Sequence, residues 1–360
     1  MKICNRCVMD ETEPDITFDE NGFCNHCTNY FEKEKKTIKP YSALQEIVEK
    51  IKTEGKNRKY NCAIGISGGL DSSYTAYLAK ELGLRALLIH FDNHWNTPQG
   101  DHNVRAIADN TGWDLIVRTC DFEEIKDLQL SYLKAGVKNF EVVTDHSIKA
   151  TVYNVIDEYG IKYLLTGNNL RTEGILPESW RYTHSDASNI RDIHRKHGEV
   201  PLKTFPIMSI LKYAWISTKK NVKEVRALNY HDYDIAEAKK TLEKDWGWQD
   251  YGWKHCECLC TKFFQHHILP TRWGVDKRKA HLSSYICSGQ MTREKALETL
   301  KSPIYPPDEY EKDRKTFLNK LGLTDDEFEK FMRIPKKRHE DYATDSSIRF
   351  ILRLGRDVFK

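Results

Sequence analysis

The sequence predicts an α/β fold in which a parallel sheet carries helices on both faces. Between residues 61 and 166, short apolar segments alternate with amphipathic helical segments, which is the order of elements in such a sheet. The apolar segments have the length and composition of strands that are buried on both sides. The chain has 360 residues, enough for one large domain or two.

The alternation begins with a strand at Asn61–Ile66, where apolar residues are bounded by polar ones. A Gly-rich turn joins this strand to a helix at Ser72–Gly83, in which Tyr74, Tyr77 and Leu78 recur at helical spacing. The other predicted elements of the sheet region are strand Arg85–Phe91, helix Asp101–Gly112, strand Asp114–Thr119, helices Phe122–Ala135 and Asp145–Tyr159, and strand Lys162–Thr166.

The segments on either side of this alternation are predicted to be mainly helical. A charged linker at Lys33–Lys39 precedes a helix at Ser42–Gly55, and residues 171–250 have little periodicity apart from a short helix at Ile235–Trp246. Residues 252–302 have a helical pattern that is interrupted at Pro270, at Gly274 and at Ser288-Gly289. Two amphipathic helices follow, Asp308–Leu321 and Thr324–Arg333, and are interpreted as a cap or an oligomer contact.

Composition and charge favour a cytoplasmic enzyme over several other classes of protein. The net charge is +3 from 56 basic and 53 acidic residues, a balance that argues against a dedicated nucleic-acid binder. No apolar run approaches the length of a membrane span, and the first residues have no apolar signal core. Ten cysteines in such a chain indicate metal ligands or reactive thiols rather than disulfides.

Four of these cysteines have the spacing of a zinc ribbon. Cys4 and Cys7 form one CxxC pair, Cys24 and Cys27 form a second, and sixteen residues separate the pairs. The turn signal Asp19-Glu20-Asn21-Gly22 predicts a small hairpin between them. Four thiolates leave no open coordination position, so we expect a structural zinc ion, with an iron–sulfur cluster or plain thiols as the alternatives.

The turn after the first strand has the composition of a phosphate-binding loop. Glycines let backbone N–H groups approach an anion, serine hydroxyls donate to its oxygens, and the following helix adds partial positive charge. Asp71 can hold a magnesium ion. The loop lacks the lysine of a Walker motif, which suits pyrophosphate leaving with its magnesium. The candidate phosphate-binding residues are Ser67, Gly68, Gly69, Asp71, Ser72 and Ser73.

Two other strand ends carry candidate site residues, because ligands of parallel sheets bind at the carboxyl ends of strands. Asp92 is a candidate for an adenosine contact, with a plain turn residue as the alternative. Gly167 begins a second loop, in which Arg171 is a candidate to neutralise a phosphate and Glu173 follows on the same loop. An exposed loop pair is the alternative interpretation of Arg171 and Glu173.

The late helical region contributes a basic cluster and an unusual group of cysteines. Lys277 and Arg278 are candidates to bind an anionic substrate, and a solvated surface is the alternative. Lys254, Glu173 and His255 are candidates to accept a proton from the attacking nucleophile, although a structural role is as plausible for each. The basic cluster comprises Lys254, Arg272, Lys277, Arg278 and Lys279, and the cysteines are Cys256, Cys258 and Cys260.

The run Ser67–Ser72, SGGLDS, resembles the PP-loop of ATP pyrophosphatases, which implies that the chain binds ATP and Mg²⁺. The chain as a whole resembles the N-acetyl sugar amidotransferases of bacterial surface-glycan biosynthesis. The resemblance implies a zinc-ribbon segment at 1–35, a PP-loop domain at 36–200 and a helical substrate region at 201–360. Four stretches carry it: ICNRCVMDETEPDITFDENGFCNHC, ISGGLDSS, LLTGNNLRTEG, and the late stretch from WGWQDYGWKHCECLCTKFFQ to GQMTREKALE.

The resemblance implies that ATP adenylates the N-acetyl oxygen of a nucleotide-linked sugar, and that ammonia then displaces AMP to leave an acetamidino group. Lys2 stands where a glutaminase nucleophile would be expected, so free ammonia or a separate glutaminase, similar to that of histidine biosynthesis, is the expected nitrogen source. The family pattern KHYES is replaced here by Lys254-His255-Cys256-Glu257-Cys258. This departure keeps a PP-loop sulfurtransferase as an alternative, and a non-enzymatic zinc-ribbon module is a third hypothesis.

Overall fold

The computed structural model describes residues 1–358, and over that range it contains one parallel sheet of five strands. The order across the sheet places the first strand between the second and the fourth, so the chain crosses from one half of the sheet to the other at its centre. In chain order, the strands are β1 (Cys62–Gly65), β2 (Ala86–Asp92), β3 (Leu115–Thr119), β4 (Tyr163–Leu165) and β5 (Lys223–Val225). Their order across the sheet is β3-β2-β1-β4-β5.

Helices make up most of the remaining described chain, and none of those described is long and apolar enough to cross a membrane. The helices before β4 are α1 (Asn25–Thr37), α2 (Tyr41–Glu54), α3 (Leu70–Glu81), α4 (Pro98–Thr111), α5 (Phe122–Ala135) and α6 (Val142–Tyr159). Those after β4 are α7 (Leu170–Glu173), α8 (Ala187–His197), α9 (Ile210–Thr218), α10 (Ile235–Trp246), α11 (Leu259–Phe263), α12 (Leu269–Trp273), α13 (Lys277–Cys287), α14 (Arg293–Lys301), α15 (Pro307–Leu321), α16 (Asp325–Arg333) and α17 (Ser346–Val358).

Apolar side chains cover both faces of the sheet, as the sequence predicted. On one face, Ile64 and Leu88 pack in a core formed with α2, α3, α4 and α10. On the other face, Ala63, Leu87 and Leu164 pack against α6 and α9. Alternate residues along β1, β2 and β4 therefore point into different cores, which explains why the central strands are mostly apolar, whereas the edge strands β3 and β5 contain charged residues.

Two predictions about the flanks of the sheet are wrong. The charged segment Lys33–Lys39 is not a linker, because α1 continues through it to Thr37 with Cys27 and Tyr30 buried on its inner face. The short strand β5 lies within residues 171–250, where little periodicity predicts no strand. It pairs with β4 and extends the sheet beyond residue 200, and three residues are too few to show a strand periodicity.

Pro270 does not interrupt the helical run that contains it. Residues 259–273 stay helical because a π-helical segment, Phe264–Ile268, lies between α11 and α12. Proline lacks the N–H that an α-helix uses at that point, and the change of hydrogen-bond spacing accommodates this loss. The predicted interruptions at Gly274 and Ser288 are confirmed, since α12 ends at Trp273 and α13 at Cys287.

Candidate active site

The loop after β1 has the geometry of an anion-binding cradle at the N-terminus of α3. Gly68 has a φ of +79°, and a Cβ there would lie 2.4 Å from the carbonyl oxygen of Gly100, so only glycine fits. The Gly69 N–H donates to the Ser67 hydroxyl at 3.1 Å, and the Ser67 N–H donates to the Ser72 hydroxyl at 3.3 Å. The structure thus brings together the predicted phosphate-binding residues Ser67, Gly68, Gly69, Asp71, Ser72 and Ser73.

Asp71, in the first turn of α3, is the centre of a hydrogen-bonded cluster. Its Oδ2 atom accepts from the Lys254 ammonium at 2.5 Å and from the Thr172 hydroxyl at 3.2 Å. Its Oδ1 atom accepts from the Tyr233 hydroxyl at 2.5 Å. Lys254 also lies 3.0 Å from Oε1 of Glu173. Three predicted catalytic residues, Asp71, Glu173 and Lys254, therefore meet at the carboxyl ends of β1 and β4.

The loop after β4 packs directly on the phosphate loop. A Cβ at Gly167 would lie 2.8 Å from the backbone nitrogen of Ser72, so this approach also requires glycine. Asn169 then caps α7 by accepting from the Thr172 N–H at 2.9 Å. The short helix α7 thereby places Thr172 and Glu173 beside Asp71. The prediction that Gly167 begins a second phosphate-side loop agrees with this position.

The two carboxylates of the cluster fix the charge of Lys254. Desolvation alone would lower its pKa, but the attraction of Asp71 and Glu173 outweighs desolvation and raises the pKa above 10.5. Lys254 is therefore an ammonium at neutral pH and has no lone pair with which to accept a proton. The carboxylates of Asp71 and Glu173 both contact the Lys254 ammonium. Carboxylate oxygens are the ligands that magnesium prefers, so these two residues would hold Mg²⁺.

Two histidines extend the cluster beyond Glu173. The Nε2 atom of His255 lies 3.8 Å from Oε1 of Glu173, and the rings of His255 and His281 are 5.7 Å apart. Desolvation in the cleft, with Lys254 and Lys277 nearby, holds the pKa of His255 well below 6.5. Desolvation and His255 lower the pKa of His281 in the same way. Both ring nitrogens of His281 are buried and, among residues 1–358, make no hydrogen bond of good geometry, although the backbone of Thr172 is close to the ring.

Arg171, Lys277 and Arg278 have hydrogen-bond or ion-pair partners other than Asp71. Arg171 forms an ion pair with the exposed Asp232 at 3.1 Å. Lys277 pairs with Glu141 at 2.6 Å. Arg278 is 6% exposed, and its guanidinium donates to Asp276 and to the carbonyls of Ser302 and Pro303. These partners give Arg278 a structural role in the described chain, and the phosphate- and substrate-binding roles of Arg171 and Lys277 stay predictions.

Asp92 lies at the edge of a cleft outside the ends of β2 and β3. Its Oδ1 atom accepts from the His94 N–H at 2.7 Å, which closes the turn after β2. The cleft has a volume of about 420 Å³, large enough for part of a nucleotide. An adenosine contact by Asp92 stays a prediction. The residues that line the cleft are Asp92, His94, Asn96, Asp101, Phe122 and Lys320.

The four N-terminal cysteines form a buried cluster that fits a zinc ion. One sulfur atom from each of Cys4, Cys7, Cys24 and Cys27 lies within 4.8 Å of the other three. The contacting pairs are 3.6 to 3.8 Å apart. Tetrahedral coordination at the usual Zn–S length would separate the sulfurs by about 3.8 Å. The predicted turn is also present, since the Gly22 N–H donates to the Asp19 carbonyl and Phe18 bridges to Cys24.

Sequence patterns did not predict several residues that contact this site. Tyr233 follows no motif and reaches Asp71 from the segment before α10. The Tyr251 hydroxyl accepts from the Leu70 N–H, the first of α3, at 2.8 Å. Glu257 reaches the phosphate loop and accepts from the Ser67 hydroxyl at 3.2 Å. Only the altered family pattern around Lys254–Cys258 gave a signal for Glu257, because the other two contacts depend on tertiary packing.

Comparison with known proteins finds one matching family model and relatives of low sequence identity. Residues 257–355 match the family described as "LPS biosynthesis protein WbpG-like, C-terminal domain". The tRNA-specific 2-thiouridylase MnmA 2 of Fusobacterium nucleatum is 29% identical over 119 residues, 31% of this chain and 34% of that protein. The NH(3)-dependent NAD(+) synthetase of Methanocaldococcus jannaschii is 28% identical over 181 residues, 47% of this chain and 63% of that protein.

The chain thus spans 34% of the length of the thiouridylase and 63% of the length of the NAD(+) synthetase. Among solved structures, NH3-dependent NAD synthetase of Campylobacter jejuni, in complex with nitrate, has a TM-score of 0.30 at 16% identity, covering 57% of this chain and 84% of that one. NMN synthetase of Francisella tularensis has a TM-score of 0.29 at 12% identity, covering 66% and 92%. The chain is thus similar to PP-loop enzymes that use ATP, and its residues 257–355 match a WbpG-like C-terminal domain.

Proposed function

We propose that the protein is an ATP-dependent amidotransferase that acts on the N-acetyl group of a nucleotide-linked sugar. The amide oxygen attacks the α-phosphorus of ATP, the bond to the β-phosphate breaks, and pyrophosphate leaves. An ammonia-derived nitrogen then adds to the activated carbon, and the oxygen departs with AMP to leave an acetamidino group. The nitrogen comes from free ammonia or from a separate glutaminase subunit.

The junction between the two parts of the chain carries this proposal. Glu257, the first residue of the part that matches an LPS-biosynthesis domain, contacts Ser67 of the phosphate loop. Lys254, three residues earlier, contacts Asp71 in the same loop region. A domain with a surface-glycan description therefore completes an ATP site, which supports a sugar-linked substrate activated by ATP. The relative described as NH(3)-dependent supports a nitrogen nucleophile.

The residues at the site have roles that suit adenylation. The partial positive charge at the N-terminus of α3 stabilises the leaving pyrophosphate. Magnesium held by Asp71 and Glu173 would supply further charge stabilisation. Lys254 keeps its positive charge beside the carboxylates and balances the phosphates. His255 and His281 are neutral, so they can hydrogen-bond an uncharged amide without altering the charge of the site.

Mass spectrometry of the reaction products tests the proposal. The purified protein is incubated with ATP, Mg²⁺, ammonium and a panel of UDP-linked N-acetyl sugars, and AMP is separated from ADP. We expect one sugar to exchange an oxygen for NH, with one AMP formed per product. AMP without a change in any sugar would contradict the acceptor and turn the search to tRNA. If neither appears even with a co-expressed glutaminase, the proposed reaction is wrong for this panel.

A PP-loop sulfurtransferase is the second candidate, because one relative is a tRNA thiouridylase. Sulfur transfer needs an accessible thiolate. Cys256, Cys258 and Cys260 are each at most 8% exposed, and burial raises the pKa of all three thiols. Amide donors of Asn93 and Gln129 contact the sulfurs of Cys258 and Cys260. These thiols are packed as apolar core groups, which favours the amidotransferase.

Replacing Cys256, Cys258 and Cys260 together by alanine separates the two candidates. Alanine removes the sulfur and keeps an apolar side chain in the core. We expect AMP formation to stay within roughly threefold of the unaltered protein, since no thiol takes part in the proposed reaction. A loss of activity in a variant that melts at the usual temperature would instead support sulfur transfer.

A further inference from the structure

Glu257 is a buried carboxyl group placed against the phosphate loop. Its Oε1 atom accepts from the Ser67 hydroxyl at 3.2 Å. A Cβ at Gly69 would lie 2.6 Å from the same oxygen, so the carboxyl touches the backbone of the loop. The Glu257 carbonyl accepts from the Thr97 N–H at 2.9 Å, which fixes the residue between the loop and α4. An acidic side chain thus occupies the wall of a cradle built for anions.

The second carboxyl oxygen of Glu257, Oε2, has no hydrogen-bond partner within the part of the chain that the structure describes. The residue is 8% exposed, and Oε2 itself is buried. An ionised carboxylate with one unsatisfied oxygen is costly at such a position, whereas a carboxylic acid has an O–H that can donate to a ligand. A phosphate group cradled by the loop would bring acceptor oxygens to this side of Ser67. A protonated Glu257 would therefore offer a hydrogen-bond donor to a phosphate group in the loop.

The charges around Glu257 agree with this protonation state. Burial is the largest effect and raises its pKa to about 7, close to physiological pH. The backbone N–H of Glu257 itself, the Ser67 hydroxyl and the Lys254 ammonium favour the ionised form, while Asp71 disfavours it. The Tyr251 hydroxyl and the Cys256 and Cys258 thiols, which also face the group, are held neutral because burial raises the pKa of each. A further anion in the loop would favour the acid still more.

We propose that Glu257 takes up a proton when ATP enters the loop and, as a carboxylic acid, donates a hydrogen bond from its carboxyl group, which lies against Ser67 and Gly69, to the phosphate that becomes the leaving pyrophosphate. This inference rests on ATP use at the loop and is independent of the identity of the acceptor. The proton comes from solvent and returns to it after pyrophosphate leaves. The C-terminal domain thereby contributes a group to the phosphate site through its first residue.

The direction of the pH dependence follows from linkage. Bound ATP raises the pKa of Glu257 above that of the free protein, so binding is strongest where the acid is already protonated, at pH values below 7. As the pH rises above the pKa of Glu257 in the free protein, Glu257 must take up a proton when ATP binds, and ATP binding therefore weakens. Between the free and bound pKa values, the dissociation constant rises about tenfold per pH unit.

Calorimetry in buffers of different ionisation enthalpy tests the proposal. The ligand is the magnesium complex of α,β-methylene-ATP, which cannot release pyrophosphate, and no sugar is added. At pH 8, we expect the protein to take up about one proton more per bound nucleotide than Glu257→Gln, whose amide donates without titrating. Glu257→Ala, which removes the donor, should bind more weakly than Glu257→Gln at every pH.

Two outcomes would overturn the proposal. One is equal proton uptake by the unaltered protein and by Glu257→Gln. The other is nucleotide binding to the unaltered protein that stays constant from pH 6 to pH 9, a result that does not depend on the variants folding. If the unaltered protein fails to bind the nucleotide at all, ATP use at the loop is wrong, and the inference fails with it. Normal binding with no acetamidino product would contradict only the proposed amidotransferase.

Discussion

Replacing Asp71 by asparagine should lower the rate of AMP formation by at least about a hundredfold. Asparagine has the shape of aspartate but lacks the charge that a magnesium ion and the Lys254 ammonium require. Asp71 accepts hydrogen bonds from Lys254, Thr172 and Tyr233, so the whole cluster depends on its two oxygens. The measurement is AMP formation with saturating ATP and magnesium, because this readout needs adenylation.

Stability should change in the same variant. Lys254 is 13% exposed and would keep Glu173 as its single carboxylate partner in the cluster. Weakening the compensation of a buried charge costs on the order of 1–3 kcal/mol, so we expect a melting temperature a few degrees lower. The variant must be assayed below that temperature, where it is folded.

Tyr233→Phe is the matched control for Asp71→Asn. It removes one hydrogen bond to the same carboxylate, the 2.5 Å contact to Oδ1, and leaves the charge in place. We expect a loss of rate of about tenfold, the low end for a hydrogen bond to a charged group, because the carboxylate keeps its charge and its other partners. An Asp71→Asn variant as active as Tyr233→Phe would show that the carboxylate has no part in the reaction.

The sequence was sufficient to predict features that arise from local patterns. Strands β1, β2, β3 and β4 are apolar runs between turn residues, and their periodicity does not depend on distant contacts. The phosphate loop is a contiguous motif, so its residues were found together. The two CxxC pairs also have a spacing that only a few kinds of site use.

The remaining features depend on contacts between distant residues. The Arg278 guanidinium donates to Asp276, which is close in sequence, and also to the carbonyls of Ser302 and Pro303 beyond α14. No local pattern predicts these two carbonyl contacts. Tyr233 meets Asp71 across 162 residues, and Glu257 meets Ser67 across 190. Likewise, α1 continues through a charged segment because its opposite face packs Tyr30 against the core. Such contacts follow from the three-dimensional packing, which a pattern in one segment cannot reveal.

Replacing Cys24 by serine, or removing metal with a chelator, should release the N-terminal segment from the rest of the protein. Structural zinc contributes about 10–16 kcal/mol to the folding of small sites, and the first 31 residues have little core of their own. The unaltered protein should contain one zinc ion per chain by elemental analysis, and Cys24→Ser should contain less than a tenth of that amount. Proteolysis should then cleave within this segment first.

Activity should fall with the metal, because the cysteine cluster is packed against elements of the active site. The Arg293 guanidinium donates to the carbonyls of Cys4 and Cys7, and the Val8 N–H donates to Ser283 on α13. The neighbouring Ser284 on α13 accepts from the Ile175 N–H, just after α7, the helix that ends at Glu173. Loss of the ribbon thus removes support from α13 and α7. We expect AMP formation to fall at least about tenfold.

Cys287→Ala is the control that identifies the ligand set. The Cys287 sulfur lies 3.8 Å from that of Cys27, yet it is not one of the four sulfurs that surround a common centre. Its replacement should leave the zinc content unchanged. Equal zinc loss in Cys287→Ala and Cys24→Ser would mean that the site uses the fifth cysteine, and visible absorbance with bound iron would mean that the cluster is an iron–sulfur centre. Retention of zinc in Cys287→Ala together with its loss in Cys24→Ser assigns the metal to the two CxxC pairs, because the two substitutions alter sulfur atoms that both contact the Cys27 sulfur.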